Sequence, residues 1–252
     1  MKIDHLVVNV DREIQESKSE TERFHAMGLP YNPKWGKGTR GFKVSNVWIG
    51  KEYFEFVRIK RRDGGGWVEN WTEQYVQGHR GLIGFALEVD DIEAVYRELK
   101  DRGVDITNPE PLRFRWFFNL LTRTMPWRNA FLPGLKGVPF QFFLQQMNDE
   151  KARSFMEQYM VPNSKENNIH GISEVVIYGQ LTQSDLNLLH ALFRDCEEQE
   201  GSFIVRLDNQ MIRFVSSPTY YVEVLLDCGN MDYQSGQVAL KNLVIRNTQR
   251  DI

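Results

Sequence analysis

Short apolar runs, separated by polar and glycine-rich stretches, recur along the whole chain and predict a mixed α+β fold. The predicted strands lie at 2–10, 42–50, 52–60, 81–90, 138–146, 172–178, 203–207, 210–216, 219–227 and 239–247. The predicted helices lie at 12–27, 91–103, 148–160 and 182–195. Residues 63–80 contain three consecutive glycines and are predicted to form a linker or loop.

The order of a strand, a helix and several further strands occurs three times, starting near residues 2, 81 and 172. Alignment of the first strands gives one shared inner position, which is occupied by His5, Gly84 and Glu174. Alignment of the closing strands at 53–59, 139–145 and 221–227 gives a second inner position, occupied by Glu55, Gln141 and Glu223. The final strand would place Asn242 at the His5 position.

Four segments carry a likeness to a known family: IDHLVVNVD at the start, GKGTRGFKVSNVWIGKEYFEFVRI at 36–59, VDDIEAVYRELKDRG at 89–103 and WRNAF…VPFQFFLQ at 127–145. On these segments the chain resembles the vicinal oxygen chelate superfamily and, within it, the larger glyoxalase-like group. The resemblance covers most of residues 1–146, whereas 170–247 match only through the weaker repeat. It implies paired βαβββ modules that form a cup, in which inward residues of the first and fourth strands hold a divalent metal.

The expected fold class is therefore α+β, with repeated βαβββ modules whose curved mixed sheets form a cup. We expect a glyoxalase-like domain of two modules at 1–147 and a linker with a helix at 148–168. A third βαβββ-like module with the final strand is expected at 169–252.

Composition narrows the class of protein. The chain has 252 residues, 41% of them hydrophobic and 26% charged, as in ordinary globular proteins. A net charge of −3 disfavours a cationic surface for nucleic acid, and two cysteines, Cys196 and Cys228, exclude a disulfide framework. The N-terminus shows no signal pattern and no apolar run is long enough to span a bilayer. We expect a cytoplasmic protein with a small-molecule partner, no nucleic-acid or membrane partner, and a homodimer as an open alternative.

His5 and Glu55 form the best candidate pair for a metal site. An imidazole and a carboxylate suit zinc, iron, nickel or manganese, and Glu55 is also the candidate catalytic base. The second module offers no side chain at Gly84 and only a neutral amide at Gln141, so the four-ligand pattern of the family is half present. If modules one and three formed the cup instead, His5 and Glu55 would be joined by Glu174 and Glu223. The alternative is that these residues are structural or lie on solvated strand faces.

Substrate-binding candidates come from the aromatic and arginine-rich stretch at 112–131 and from the strand after it. Arg113 and Arg115 alternate with aromatic residues, so a strand would place both guanidinium groups on one face. Paired guanidinium groups favour a carboxylate or phosphate ligand, although a solvated edge with ordinary ion pairs is the alternative. Trp127 and Gln141 are the further candidates for lining a ligand pocket, with core packing as the alternative for the tryptophan.

The resemblance implies a glyoxalase-like small-molecule enzyme: a metal-assisted isomerase, lyase or dioxygenase that acts on a substrate with vicinal oxygens. Glu55 would be a metal ligand or general base, His5 a metal ligand, and Arg113 or Arg115 an anchor for an anionic group. The alternative is a metal-free protein that binds and sequesters a small ligand, for which Gly84 and Gln141 are no disadvantage. A structural or interaction role is a third alternative, because fold alone does not fix function.

Overall fold

Two seven-stranded mixed sheets make up the computed structural model, which describes residues 1–116 and 121–249 apart from the side chains of residues 35, 114–116 and 121–123. Sheet A contains β1 (Lys2–Asn9), β2 (Phe42–Ile49), β3 (Glu52–Ile59), β4 (Gly81–Glu88), β5 (Glu110–Trp116), β6 (Leu121–Gly134) and β7 (Gln141–Met147). Sheet B contains β8 (Ile169–Gly179), β9 (Cys196–Gln199), β10 (Ser202–Arg206), β11 (Met211–Ser216), β12 (Tyr221–Cys228), β13 (Gln237–Leu240) and β14 (Leu243–Thr248). The helices are α1 (Arg12–Glu16), α2 (Lys18–Ala26), α3 (Glu69–Val76), α4 (Ile92–Asp101), α5 (Glu150–Glu157) and α6 (Gln183–Leu192).

The two sheets share one topology. In sheet A the order is β2-β3-β1-β4-β7-β6-β5, with β1 parallel to β3, β4 parallel to β7, and β1 antiparallel to β4. In sheet B the order is β13-β14-β12-β8-β11-β10-β9, with β12 parallel to β14, β8 parallel to β11, and β12 antiparallel to β8. Each sheet is therefore a pair of units that begin with a central strand, and the curled mixed sheets confirm the α+β prediction.

The described chain contains four such units, so the alignment of three was wrong in its last part. The strand at 221–227 was expected to close the third unit, but β12 opens a fourth one, and β11 closes the third by pairing in parallel with β8. The first and the last strand of a unit show the same alternation of apolar and polar residues, so the sequence pattern does not distinguish one from the other. The fourth unit also has no helix between β12 and β13, so it lacks the strand–helix order by which the other units are recognised in the sequence.

Other differences are local. The final predicted strand is two strands, β13 and β14, joined by a turn in which Lys241 has a φ of 54°, so Asn242 lies in a turn and not at a His5-like position. The predicted helix at 12–27 is divided into α1 and α2 at Ser17, which has extended backbone angles. Within the described residues, no helix is long and apolar enough to cross a membrane.

One apolar core lies between the two sheets. Sheet A contributes side chains such as Val8, Phe54 and Phe85, and sheet B contributes side chains such as Val175 and Val224, all of which are fully buried. Helices α2, α4 and α6 add Phe24, Leu99 and Leu189 to the same cluster. Because successive strand residues point to opposite faces, the remaining face of each sheet is directed away from this core, and the two remaining faces point in opposite directions.

Polar bonds join the sheets at the margin of the core. The amide of Ile3 donates to the side chain of Gln210 at 2.7 Å, and the amide of Ile172 donates to Glu52 at 2.5 Å. Burial raises the pKa of Glu52 to about 8, against the opposing effect of the Ile172 amide, and the nearby Asp4 adds to the rise. Glu52 is therefore a carboxyl group that keeps its proton near neutral pH while it bonds to the other sheet.

We expect Glu52 to make stability fall with rising pH. Its pKa in the folded state, about 8, is above its ordinary value of 4.5. The folded state therefore holds the proton that the unfolded state releases, and stability declines across this window by at most about 1.4 kcal/mol per pH unit. Glu52→Gln should flatten the dependence of the unfolding free energy on pH, measured by urea denaturation between pH 4.5 and 8. The exposed Glu200→Gln is the matched control, and equal slopes for the two variants would contradict the assignment.

Candidate functional site

The outward face of sheet A, which we call the N-terminal cup, is curled and largely covered. Its apolar side chains form a second cluster, which includes Val7, Val57, Ile83, Ala86 and Phe143. Trp71 from α3 is buried in the same cluster, with Trp67 and Tyr75 packed against it. The cup therefore holds a small interior between the strands and a helix that the sequence had suggested to be a loop.

Asp4 and His5 are neighbours in the chain and are both buried in this cup. A register irregularity in β1 between Ile3 and His5 turns both side chains inward, where strict alternation would have separated them. His5 Nδ1 lies 2.6 Å from Asp4 Oδ2, and Gln145 donates to the same oxygen at 2.8 Å. With Asp4 Oδ2 as the acceptor of this bond, the proton lies on His5 Nδ1, and Nε2 is the ring nitrogen that Asp4 does not engage.

Glu55 lies on the same face as His5. The parallel register of β1 and β3 pairs His5 with Tyr53 and Val7 with Glu55, and the His5 ring stacks on Tyr53 at a centroid distance of 4.4 Å. Burial raises the pKa of Glu55, the neighbouring His5 lowers it, and Asp4 raises it again. Burial likewise raises the pKa of Tyr53, with Asp4 and Glu55 contributing. The structure thus brings together an imidazole with an attached carboxylate and a second carboxyl group that favours its neutral form.

The second unit has Gly84 and Gln141 at the positions that correspond to His5 and Glu55 in the first unit, and a tryptophan contacts both of them. Gly84 and Gln141 are paired in register on β4 and β7. A Cβ atom at Gly84 would lie 2.6 Å and 2.7 Å from two ring atoms of Trp71, so only glycine leaves room for that indole. The Trp71 ring N–H donates to Gln141 Oε1 at 3.1 Å, while Gln141 Nε2 donates to the carbonyl of Leu132. The indole therefore fills the space in which the family resemblance implies two further metal ligands.

These residues do not fit the metal site that the family resemblance implied. Among residues 1–116 and 121–249, no group of three or more His, Cys, Asp or Glu side chains is arranged to hold a metal ion. His5 and Glu55 are two donors, whereas catalytic zinc and non-haem iron sites usually have three protein ligands. Gln141 has both ends of its amide engaged, so it does not supply the third.

Glu174 and Glu223 do not join His5 and Glu55. They lie on the outward face of sheet B, where Glu174 pairs with Arg213 at 2.7 Å and Glu223 with Arg246 at 3.2 Å. The shared core lies between the two outward faces. A cup built from the first and third units is therefore not the arrangement found.

The substrate-binding candidates are spread across sheet A. Arg113 is exposed on the edge strand β5, in register with Thr124 and four strands from β1, or about 19 Å along the sheet. The side chain of Arg115 lies outside the described residues. Trp127 is half-buried on β6, opposite Met147. Of this group, the structure places only Gln141 in contact with the centre of the cup, through Trp71.

Several polar atoms in the cup are buried and have no partner among the described residues. They are both amide atoms of Asn9, Oδ1 of Asn46, Oδ1 of Asn129 and Nε1 of Trp67. Asn46 is paired with Glu55 in register, Asn129 with Gln145, and Asn9 with Val57, so the three amides share the cup face. An unpartnered buried polar group costs about 1–3 kcal/mol, which makes this interior suited to a polar ligand.

Sequence reasoning missed Asp4, Trp71 and the three asparagines. The spacing of Trp67, Trp71 and Tyr75, each four residues from the next, is a helical signal that the preceding three glycines outweighed. The register of Asn46 opposite Glu55 follows once the two strands predicted at 42–50 and 52–60 pair in antiparallel fashion. The irregularity that turns Asp4 inward has no signal in the sequence.

Comparison with known proteins agrees with this architecture. A protein-family model described as a glyoxalase-like domain matches residues 3–193. A crystal structure of a hypothetical protein from Staphylococcus aureus is 15% identical, covers 98% of this chain and 98% of that chain, and has a TM-score of 0.72. A variant of Streptomyces coelicolor methylmalonyl-CoA epimerase in complex with 2-nitronate-propionyl-CoA is 16% identical, covers 59% of this chain and 99% of that chain, and has a TM-score of 0.41. No curated protein matches the chain.

Glu55→Gln tests the buried carboxyl group of the cup. The raised pKa of Glu55 means that the folded state keeps a proton which the unfolded state loses above the ordinary value of 4.5. Stability should therefore decrease as pH rises from that value, and the glutamine variant should lack the part of this decrease that Glu55 causes while it keeps the part that Glu52 causes. Unfolding free energies from pH 4 to pH 8 provide the measurement, with Glu13→Gln on the exposed face of α1 as control. A wild-type curve parallel to that of Glu55→Gln would refute the burial of this charge.

Proposed function

The chain belongs to the glyoxalase-like domain family, and we propose that its N-terminal cup is the active site of an enzyme that transfers a proton on a small organic substrate with adjacent oxygens. The observation that carries the proposal is the buried Asp4–His5 pair, which shares a face with Glu55. A histidine oriented by a carboxylate and placed beside an acid of raised pKa is a common arrangement for general acid–base catalysis.

The chemistry follows from the protonation of each group. Asp4 holds the Nδ1–H of His5, so Nε2 removes the proton from a carbon next to a carbonyl group. Glu55, whose pKa is raised by burial, acts in its protonated form and gives its proton to the carbonyl oxygen, and the product of the two transfers is an enediol. Return of the His5 proton to the neighbouring carbon, with loss of a hydroxyl proton to Glu55, completes an isomerisation of an α-hydroxycarbonyl compound. Tyr53 fixes the His5 ring by stacking.

The pair of His5 and Glu55 favours an isomerase or a lyase over a dioxygenase. His5 and Glu55 serve this reaction as proton carriers, and the mechanism uses no step through a metal. The unpartnered amides of Asn9, Asn46 and Asn129 support a substrate with several oxygen or nitrogen atoms, because such a ligand would satisfy them. The aromatic rings of Phe131 and Phe143, which stack on each other in the cup, would cover its apolar part.

A binding protein without catalysis is the second candidate. One observation favours it: Trp71 already occupies the middle of the cup and uses Gln141, so the interior is shaped by packing as well as by acid–base groups. A sequestering protein would retain the polar amides and would not need His5 as a base. Cytoplasmic location, a homodimer and the absence of a nucleic-acid partner stay predictions.

Solvent deuterium exchange distinguishes these candidates. In D₂O, the wild-type protein should catalyse exchange of the carbon-bound proton of at least one member of a panel of α-hydroxyketones and 1,2-dicarbonyl compounds, followed by NMR. His5→Ala should reduce the rate by about 10²–10⁴-fold, the usual contribution of a general base. His190→Ala, which removes an exposed histidine of α6, is the matched control. Binding of a panel compound with no exchange in the wild type would favour the binding protein.

Removal of metal ions with a chelator tests whether the proposed reaction proceeds without a bound metal. We expect the exchange rate to be unchanged after prolonged treatment with EDTA, since two donors without a third form a weak site. Elemental analysis of protein purified without chelator should find less than one transition-metal ion per chain. Loss of exchange on chelation, restored by one equivalent of Zn²⁺ or Mn²⁺, would contradict the proposed mechanism and return His5 and Glu55 to the role of ligands.

A further inference from the structure

We propose that α3 is a lid that occludes the N-terminal cup, with Trp71 as a plug that must leave before a ligand reaches His5. The proposal rests on the cup being the ligand site, and it adds that access to this site is regulated by a conformational equilibrium of residues 67–77.

The plug fits into the cup as a ligand would. Trp71 is 3% exposed, and its ring contacts Phe131 and Phe143 at centroid distances of 6.0 Å and 5.9 Å. Its N–H donates to Gln141 at 3.1 Å, and its far edge lies over the bare Cα of Gly84. The indole thus packs on an apolar surface, fills the space left by Gly84 and donates to an amide oxygen, all on the face that carries His5 and Glu55.

The helix that carries the plug has little stability of its own. α3 has eight residues, and an isolated helix of this length is marginal in water. Its N-cap residue is Val68, which makes no side-chain cap bond, whereas α4 is capped by the side chain of Asp91. Its position therefore depends on tertiary contacts: those of Trp71, those of the buried Thr72, and those of Tyr75, whose hydroxyl donates to the carbonyl of Val10 at 3.2 Å and whose ring lies 3.7 Å from the Arg80 guanidinium carbon. Elements that depend on few contacts open locally before the core does.

Two glycines form suitable hinges at the ends of the lid. Gly66 and Gly78 precede and follow residues 67–77, with φ values of 96° and 99°. A Cβ at either position would have no heavy atom within 4 Å, so neither glycine is held in place by packing at its Cα. Gly65, by contrast, is packed against Gly41, which fixes the chain just before the first hinge, while Gly64 contacts Thr72 of the lid itself.

In the closed position of the lid, buried polar atoms lack hydrogen-bond partners, and opening of the lid would relieve this free-energy cost. Trp67 Nε1 is buried without a partner under the lid, and the amide of Asn9 is buried with neither of its polar atoms bonded. Water reaches such groups when a lid opens, and a polar ligand satisfies them when it replaces the plug. The closed state is thus held by apolar contacts and by the hydrogen bonds of Trp71 and Tyr75, against unsatisfied polar atoms, which is the balance that a two-state element requires.

Hydrogen exchange measured by mass spectrometry on the full chain tests the lid. In the wild type, amides of Trp71–Gln77 should exchange faster than those of β1 and β4, which lie in the same cup. Gln141→Leu removes the acceptor of the plug, and Gly84→Ala places a methyl group where the Trp71 ring lies. Each variant should accelerate exchange in this segment by at least about fivefold, the effect of one lost hydrogen bond, while β8 is unchanged. Gly134→Ala, whose Cβ meets nothing within 4 Å, is the matched strand control.

The outcomes separate the lid from the proposed function. Exchange of α3 at the rate of β1 and β4 in the wild type, or no acceleration in either variant, would overturn the lid. Trp71→Phe, which keeps a ring and loses the N–H, serves if Gly84→Ala does not fold, and it should also accelerate exchange. Rapid α3 exchange together with an unaffected His5→Ala rate would leave the lid in place and remove the catalytic proposal alone.

Discussion

Burial of one face of each sheet against the same apolar core is the constraint on which the rest of the structure depends. Phe54 and Phe56 from sheet A and Val175 and Val224 from sheet B occupy that core and are fully buried. Strand alternation then directs His5 and Glu55 away from the core on one side, and Glu174 and Glu223 away from it on the other. The separation of the two carboxylate sets is thus a consequence of packing, and no change of loop conformation would bring them together.

The sequence was most informative where alternation was strict. Glu55 lies between two phenylalanines, and the placement of its carboxyl group opposite those rings follows directly from the two-residue period. The sequence was least informative where the backbone departs from the regular two-residue alternation of a strand or from the expected order of elements. The irregularity beside Ile3 brings Asp4 to His5, and the missing helix before β13 hid the fourth unit. Neither departure changes the local composition, so neither leaves a trace in a single sequence.

The candidate site shows how neighbouring polar groups divide their roles through environment. Asp4 accepts two hydrogen bonds, from His5 and Gln145. Glu55 is paired in register with Val7 and Asn46, and burial raises its pKa. The two acidic side chains of one cup therefore have different surroundings, because Asp4 is tied to a histidine and an amide whereas burial dominates the pKa of Glu55.

The absence of a side chain at position 84 has a consequence for how sites on this fold can diverge. A ligating residue there and a large ring at position 71 are sterically incompatible, because a single added carbon already collides with the indole. A descendant that acquired histidine at 84 would have to shrink Trp71 in the same lineage or lose the helix over the strands. Metal coordination and aromatic closure are thus mutually exclusive solutions to filling one cavity, and substitutions at these two positions should be exchanged as a pair.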